Sequence, residues 1–224
     1  MAGVQNRDLL SAQASGLREW HRYIVSRYCG DCRTALEVGC GRGDVMSNIS
    51  DLMIVKGVDL DRGSLNDATD RGLDVLIADG EKLPFGDGRF DLVYCSFYIL
   101  WAADIGRALR EMVRTAGRSV LFLSEPIWSK AVHIDGAGRE MMERGIGLIR
   151  SKGGRPDSGL ELLSHLACGT YDFRFGTVPL DTSLFEMRKW VDIERGWAGE
   201  KGEHGEGGTA LFSVPFVWAC IDLR

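Results

Sequence analysis

The chain has 224 residues, of which 45% are hydrophobic and 26% charged, with a formal net charge of -5 at pH 7. That length suffices for one well-buried domain with an elaboration. The acidic balance excludes a chain-wide basic field, so nucleic acid is not expected as a substrate.

The opening stretch, "MAGVQNRDLLSAQ", lacks a basic run followed by a long apolar core, and apolar runs elsewhere fall far below a membrane span. A cytoplasmic protein without membrane association is expected. From Ser11 to Tyr28, the positions Leu17, Trp20, Tyr23, Ile24 and Arg27 mark one face of a leading helix, ended by Gly30. "CGDC", Cys29 to Cys32, follows. Zinc needs about four ligands and no second pair appears, while a thioredoxin-like pair belongs at a helix start after a strand. The pair therefore reads as small residues in a helix-to-strand turn, with no metal. Cys40, Cys95, Cys168 and Cys220 complete six scattered cysteines, which suit reduced thiols better than a disulfide framework.

Short apolar runs then alternate with amphipathic stretches. Thr34 to Val38, Ile54 to Val58, Val75 to Ala78, Phe90 to Cys95 and Ser119 to Ser124 read as strands, because they are brief, β-branched or aromatic, and bounded by Gly or Asp. Asp44 to Ser50, Arg62 to Arg71 and Ala103 to Thr115 read as helices. Such alternation predicts a parallel sheet with helices on both faces and ligands at the carboxyl ends of the strands.

After Pro126 the rhythm changes. Gly136 to Ile149 and Leu160 to Leu166 read as helices, "TYDFRFGTV" alternates at period two, and "TALFSVPFVWACIDL" is a terminal strand whose Pro215 suggests a bulge or an edge. Between the last two lies Leu180 to Gly208, with Trp190, Trp197 and a loop rich in glycine and charge. No internal repeat or strong linker divides the chain. The expected organisation is one domain: leading helix 11–29, core 33–126, cap insertion 127–156, and terminal strands with an insertion at 180–208. The expected fold is α/β and Rossmann-like, a mostly parallel sheet of about seven strands with the last antiparallel.

"ALEVGCGRGDV", Ala35 to Val45, places Gly39, Gly41 and Gly43 between the first strand and a helix. The chain must reverse there with its backbone bare enough for a ligand to approach. A dinucleotide fingerprint would put its third glycine at position 44, where this chain has Asp44. That weakens a nicotinamide oxidoreductase reading.

The pattern instead resembles the class I S-adenosylmethionine-dependent methyltransferases, particularly the type-11 branch that acts on small molecules. Glu37 and the glycine turn, "KGVDLD" with Asp59, "IADGEKLPFGDGRFDLVYCS" with Asp79, and "DIGRALREMVRTAGRSVLFLSEP" carry the resemblance in order, over about residues 33 to 126. It implies S-adenosylmethionine as cofactor and S-adenosylhomocysteine as product. By resemblance, Glu37 orients the glycine loop and meets the methionyl ammonium, while Gly39, Cys40, Gly41 and Gly43 form that loop. Asp59 holds the ribose, Leu60 lines the adenine, and Asp79 takes its amine beside backbone groups of Gly80 and Glu81. Ser96 lies near the methionyl part and the sulfonium. The type-11 branch often has a histidine pair after strand four, where this chain reads "FYILWAAD" with Trp101 and Ala102. Beside these, Asp61 reads as a helix N-cap, Asp91 as structural and Asp87 as turn chemistry.

A sulfonium methyl is already a strong electrophile, so the protein chiefly needs to align a nucleophile and exclude water. Should a base be needed, Tyr98, Glu125, His21, His133, His165 and His204 are candidates, and the residues single out none. The acceptor pocket is expected among Tyr23, Tyr98, Trp101, Glu125 and Trp128, under a roof from the leading helix, the cap insertion and the segment bearing Trp190. Aromatic weight there suggests an apolar or planar small molecule, though Arg174 and Arg188 could equally orient a carboxylate. A non-catalytic cofactor-binding partner protein is the alternative from another class.

Overall fold

The computed structural model describes residues 11, 14–133, 136–181 and 212–223. The expected insertion with Arg188, Trp190, Trp197 and His204 lies outside the described residues. Helix α1 (Arg18–Cys29) leads into β1 (Thr34–Val38), α2 (Met46–Ile49), β2 (Ile54–Asp59), α3 (Arg62–Asp70), β3 (Val75–Ile77) and β4 (Phe90–Cys95). Then come α4 (Ile105–Thr115), β5 (Ala116–Pro126), β6 (Val132–His133), α5 (Gly136–Ser151), α6 (Ser158–Cys168), β7 (Phe173–Asp181) and β8 (Phe212–Asp222). Single 3-10 turns occupy Ile99–Trp101 and Trp128–Lys130.

The described strands form one eight-stranded sheet ordered β3-β2-β1-β4-β5-β8, with β6 and β7 also pairing β8. The first five strands are mutually parallel and β8 runs antiparallel to β5 and β7. Strand order reverses between β1 and β4, which leaves a crevice at their carboxyl ends. Alternation sorts the core. Leu92, Tyr94, Leu121 and Leu123 pack with Ile24, Val25, Met46 and Ile49 on one face. Val93, Cys95, Val120 and Phe122 pack with Leu109, Met112 and Leu162 on the other.

Local chemistry places most boundaries. Asp61 caps α3 by accepting from the Gly63 N–H at 3.1 Å and the Ser64 hydroxyl at 2.8 Å, the N-cap role expected of it. Asp104 caps α4 through the Arg107 N–H at 2.9 Å. Asp91 accepts from the Arg33 and Thr34 N–H groups at 2.9 and 3.1 Å and so is structural. Cys32 N–H bonds to the Cys29 carbonyl at 3.0 Å, closing the helix-to-strand turn.

Two expectations need correction. The helix over Asp44 to Ser50 shrinks to the single turn of α2, because the left-handed Gly43 (φ 75°) precedes it and Ser47, Asn48 and Ser50 are weak helix formers. Pro215 neither bulges nor edges the sheet. The bulge lies in β5 between Phe122 and Glu125, and Pro215, beyond the stretch paired with β5, sits opposite Pro179 of β7. Neither proline has an N–H to donate, and the Pro215 carbonyl accepts from Ile127 at 3.0 Å. Among the described residues no helix is long and apolar enough to cross a membrane.

Candidate functional site

At the end of β1 the chain turns through Gly39 (φ 72°), Gly41 (φ 52°) and Gly43 (φ 75°), conformations that disfavour any side chain. The N–H groups of this turn face inward. Gly39 and Cys40 donate to the Val58 carbonyl at 2.8 and 3.0 Å, and Gly43 donates to the Cys40 carbonyl at 2.8 Å. Gly41 donates to Asp59 Oδ2 at 2.8 Å. A pyrophosphate cradle needs such donors aimed at the ligand, together with a helix dipole behind them. Here the donors are spent, and α2 is four residues long.

Acidic groups dominate instead. Glu37 is 2% exposed and accepts from the Tyr94 hydroxyl at 3.0 Å. Burial pushes its pKa up to about 8, and the carboxylates of Asp59 and Asp44 act in the same direction. Asp59 also accepts from the Asp61 N–H at 2.8 Å through Oδ1, and each carboxylate oxygen keeps a free lone pair. Asp44, at the position a dinucleotide fingerprint would give to glycine, pairs with Arg71 at 2.8 Å.

The turn after β3 completes the rim. Asp79 Oδ1 accepts from the Glu81 N–H at 2.9 Å, and Glu81 reaches across to accept from the Asp104 N–H at 2.9 Å. The Leu-Pro-Phe turn beyond is held by Glu111, which accepts from Leu83 N–H at 2.8 Å, and by Arg114, which donates to the Phe85 and Leu83 carbonyls. Leu60, beside Asp59, is 60% exposed. The Cys40 thiol packs into the core against Gly57 and Met46, so only its main chain borders the turn.

Ser96 follows β4, and its buried Oγ has no hydrogen-bond partner among the described groups, a condition that points to a ligand. Phe97, next in the chain, has φ 55°, the single described non-glycine residue with positive φ. Strain of that kind collects at functional sites. No sequence signal announces it.

Of the expected acceptor residues, Glu125 is corrected most. It is fully buried and its carboxylate accepts from the N–H groups of Tyr98, Ile99 and Leu100 at 3.1, 3.1 and 3.3 Å and from the Ser158 hydroxyl at 3.0 Å. Burial pushes its pKa up to about 7, yet its lone pairs are engaged, so it clamps the turn after β4 rather than facing an acceptor. His21 is likewise buried, between Ser124 Oγ at 3.3 Å and Asn48 Nδ2 at 3.4 Å, and burial lowers its pKa to about 3. It is a core histidine.

Trp128 is buried with Leu17, Leu100, Met142, Ile149 and Phe216 in an apolar cluster above the ends of β4 and β5. Trp101 is 46% exposed and lies on Gly154. Tyr23 is exposed, its ring 5.9 Å from Trp20. Arg155, which sequence reasoning missed, fastens the cap to the turn after β4 through its N–H to the Leu100 carbonyl at 2.8 Å and its guanidinium to the Ala102 and Ala103 carbonyls. An arginine between two glycines and a proline was its only mark.

Residues 36–122 match a family model described as a methyltransferase domain. The ubiquinone/menaquinone biosynthesis C-methyltransferase UbiE of Stenotrophomonas maltophilia is 33% identical over 128 residues, 50% of this chain and 50% of that protein. The mitochondrial arginine-hydroxylase NDUFAF5 of Rattus norvegicus is 31% identical over 94 residues, 40% of this chain and 26% of that protein. The chain thus spans half or less of the length of these curated relatives. Among solved structures, an S-adenosylmethionine-dependent methyltransferase of Thermotoga maritima, described as a possible histamine N-methyltransferase, superposes with a TM-score of 0.61 at 20% identity, covering 98% of this chain and 94% of that one.

Proposed function

From a chain that carries a methyltransferase domain on a class I methyltransferase fold, we propose that the crevice binds S-adenosylmethionine and that the protein methylates a small molecule. The observation that carries this reading is the inward turn of the Gly39, Cys40, Gly41 and Gly43 N–H groups beside the carboxyls of Glu37 and Asp59. Such a surface attracts an ammonium and a diol and offers nothing to a pyrophosphate.

Bound there, the cofactor supplies an activated methyl electrophile. Glu37 meets the ammonium end, Ser96 Oγ gains the partner it lacks, Asp59 accepts from the ribose diol, and Asp79 with the backbone of Gly80 and Glu81 takes the adenine edge beside Leu60. On the acceptor side, the exposed rings of Tyr23 and Trp101 support an apolar or planar acceptor. Catalysis by alignment fits a site in which Glu125 is a clamp and His21 a core residue. The scattered spacing of the six cysteines in the sequence is what supports a cytoplasmic location.

Melting curves with S-adenosylmethionine, S-adenosylhomocysteine and NAD test the binding step, since a ligand selective for the folded chain raises its melting temperature. Stabilisation by NAD alone overturns the reading. Release of S-adenosylhomocysteine with an acceptor pool then separates a methyltransferase from a chain that holds the cofactor for other ends.

A further inference from the structure

Toward the amino end of β5, away from the crevice, the sheet carries a cavity of about 270 Å³. Three strands form its floor. Ser119 of β5 stands opposite Asp222 of β8, and Cys220 of β8 stands between Leu121 of β5 and Arg174 of β7. Leu121 and Cys220 pack beneath α1 with Ile24, Val25 and Cys29, so the period of two puts Ser119, Asp222, Arg174 and Asp172 on that same face. Arg27 and Tyr28, from the last turn of α1, also line the cavity.

Ser119 is 2% exposed, and its hydroxyl has no hydrogen-bond partner among the described residues. A buried hydroxyl in that condition, at the wall of a cavity, points to a ligand. The charges around it are sorted by row. Asp172 and Asp222 lie level with Ser119, whereas Arg174 lies level with Cys220, two residues or about 7 Å along the strands. Arg27, Arg174 and Asp172 form no ion pair with any described residue. A simple anion at Arg174 would face the two carboxylates, and a simple cation beside Asp172 would face the guanidinium. A molecule with both charges a few ångströms apart satisfies both rows, and the volume, below the roughly 300 Å³ at which drug-sized pockets begin, suits a small one. We infer that this cavity is a second ligand site, for a free amino acid. Its carboxylate takes the planar donor fork of Arg174, and its ammonium donates to Asp172 and to the Ser119 hydroxyl. The site is independent of the cofactor reading.

The test is calorimetric titration of the common L-amino acids, one at a time, into the wild-type chain, Ser119→Ala, Asp172→Asn and Arg174→Gln. Acetate and ethylammonium serve as the separate ends of the zwitterion. At least one amino acid is expected to bind the wild type, about tenfold or more tighter than either fragment, because each fragment forfeits hydrogen bonds to a charged group. Ser119→Ala should weaken that binding by about 3- to 10-fold, the range of one neutral hydrogen bond, and Asp172→Asn and Arg174→Gln by about tenfold or more. Asp172 and Arg174 are exposed and Ser119→Ala removes one unpartnered hydroxyl, so the variants are expected to melt as the wild type does. A wild type that binds no amino acid overturns the inference. Acetate binding as tightly as any amino acid also overturns it, since the cavity is then a bare anion site. Amino-acid binding that is unchanged in all three variants, or that S-adenosylhomocysteine displaces, lies elsewhere on the chain and overturns it too.

Discussion

The Tyr94 hydroxyl, on β4, donates to the Glu37 carboxyl on the neighbouring β1 at 3.0 Å, and both side chains are buried. That bond draws a carboxyl into the base of the glycine turn, where burial pushes its pKa up to about 8. A cationic ligand favours the ionised form. Below pH 8, binding must therefore displace a proton from Glu37, and affinity for S-adenosylhomocysteine should climb by up to about tenfold per pH unit before levelling above pH 8. Calorimetry between pH 6 and 9 checks this, with Glu37→Gln expected to bind weakly and without the slope. A wild-type profile that is flat across that range removes Glu37 from the ammonium site.

Folding stability should carry a related signature. Glu37 and Glu125 have folded pKa values raised to about 8 and about 7 from 4.5. Their contribution is complete below the unfolded value and is lost as pH rises through the folded ones. His21 is lowered to about 3 from 6.5, so its contribution is present above 6.5 and lost as pH falls toward 3. Between pH 6.5 and 8.5 the two glutamates act to lower the melting temperature as pH rises, opposed by the lowered thiols of Cys32 and Cys220. Glu125→Gln should flatten part of that decline. Glu125→Ala, which strips an acceptor from three backbone N–H groups, should cost about 3 kcal/mol in urea denaturation.

Much of this architecture is legible in the sequence because it rests on local signals. Period-two alternation in "FDLVYC" divides Leu92 and Tyr94 from Val93 and Cys95, and the capping role of Asp61 follows from its place before α3. The Glu37, glycine and Asp59 pattern likewise marks the crevice. The remainder depends on tertiary placement. Nothing near Glu125 shows that its carboxylate will close over the N–H groups of Tyr98, Ile99 and Leu100, since those partners arrive from 25 to 27 residues away. The left-handed conformation of Phe97 is imposed by its surroundings and has no residue type to betray it. Tyr98 looks like any aromatic until Gly39 and Gly80 are seen on either side of it.

Two glycines of one turn should respond differently to the same substitution. Gly39 and Gly41 both have positive φ, so alanine at either costs about 1–2 kcal/mol from the backbone. Around Gly41 a Cβ meets nothing within 4 Å, whereas at Gly39 it stands 2.6 Å from the Tyr98 ring. Gly39→Ala should therefore lose clearly more stability than Gly41→Ala in urea denaturation. The excess should vanish when the two substitutions are compared in a Tyr98→Ala background, because the obstructing ring is gone. Equal costs in the wild-type background would show that the ring yields freely.

Asp59 combines two duties that substitution can separate. Its two oxygens accept from the Gly41 and Asp61 N–H groups, each at 2.8 Å, so it ties the glycine turn to the end of β2 before any ligand arrives. Asp59→Ala leaves both donors unpaired and should lower ligand-free stability by about 1–3 kcal/mol. The same change should weaken S-adenosylhomocysteine binding by at least about 1.5 kcal/mol, the scale of a charged hydrogen bond. Asp59→Asn distinguishes the duties. Its one remaining oxygen can still accept from Gly41, so stability should recover toward wild type, but a carboxamide presents an N–H₂ where the diol needs its second acceptor. Affinity should accordingly stay low in the asparagine variant while the melting temperature recovers in part, the Asp61 N–H now facing the carboxamide N–H₂. Calorimetry showing wild-type affinity in Asp59→Asn would mean that Asp59 only braces the turn, and unchanged affinity in Asp59→Ala would remove it from the site.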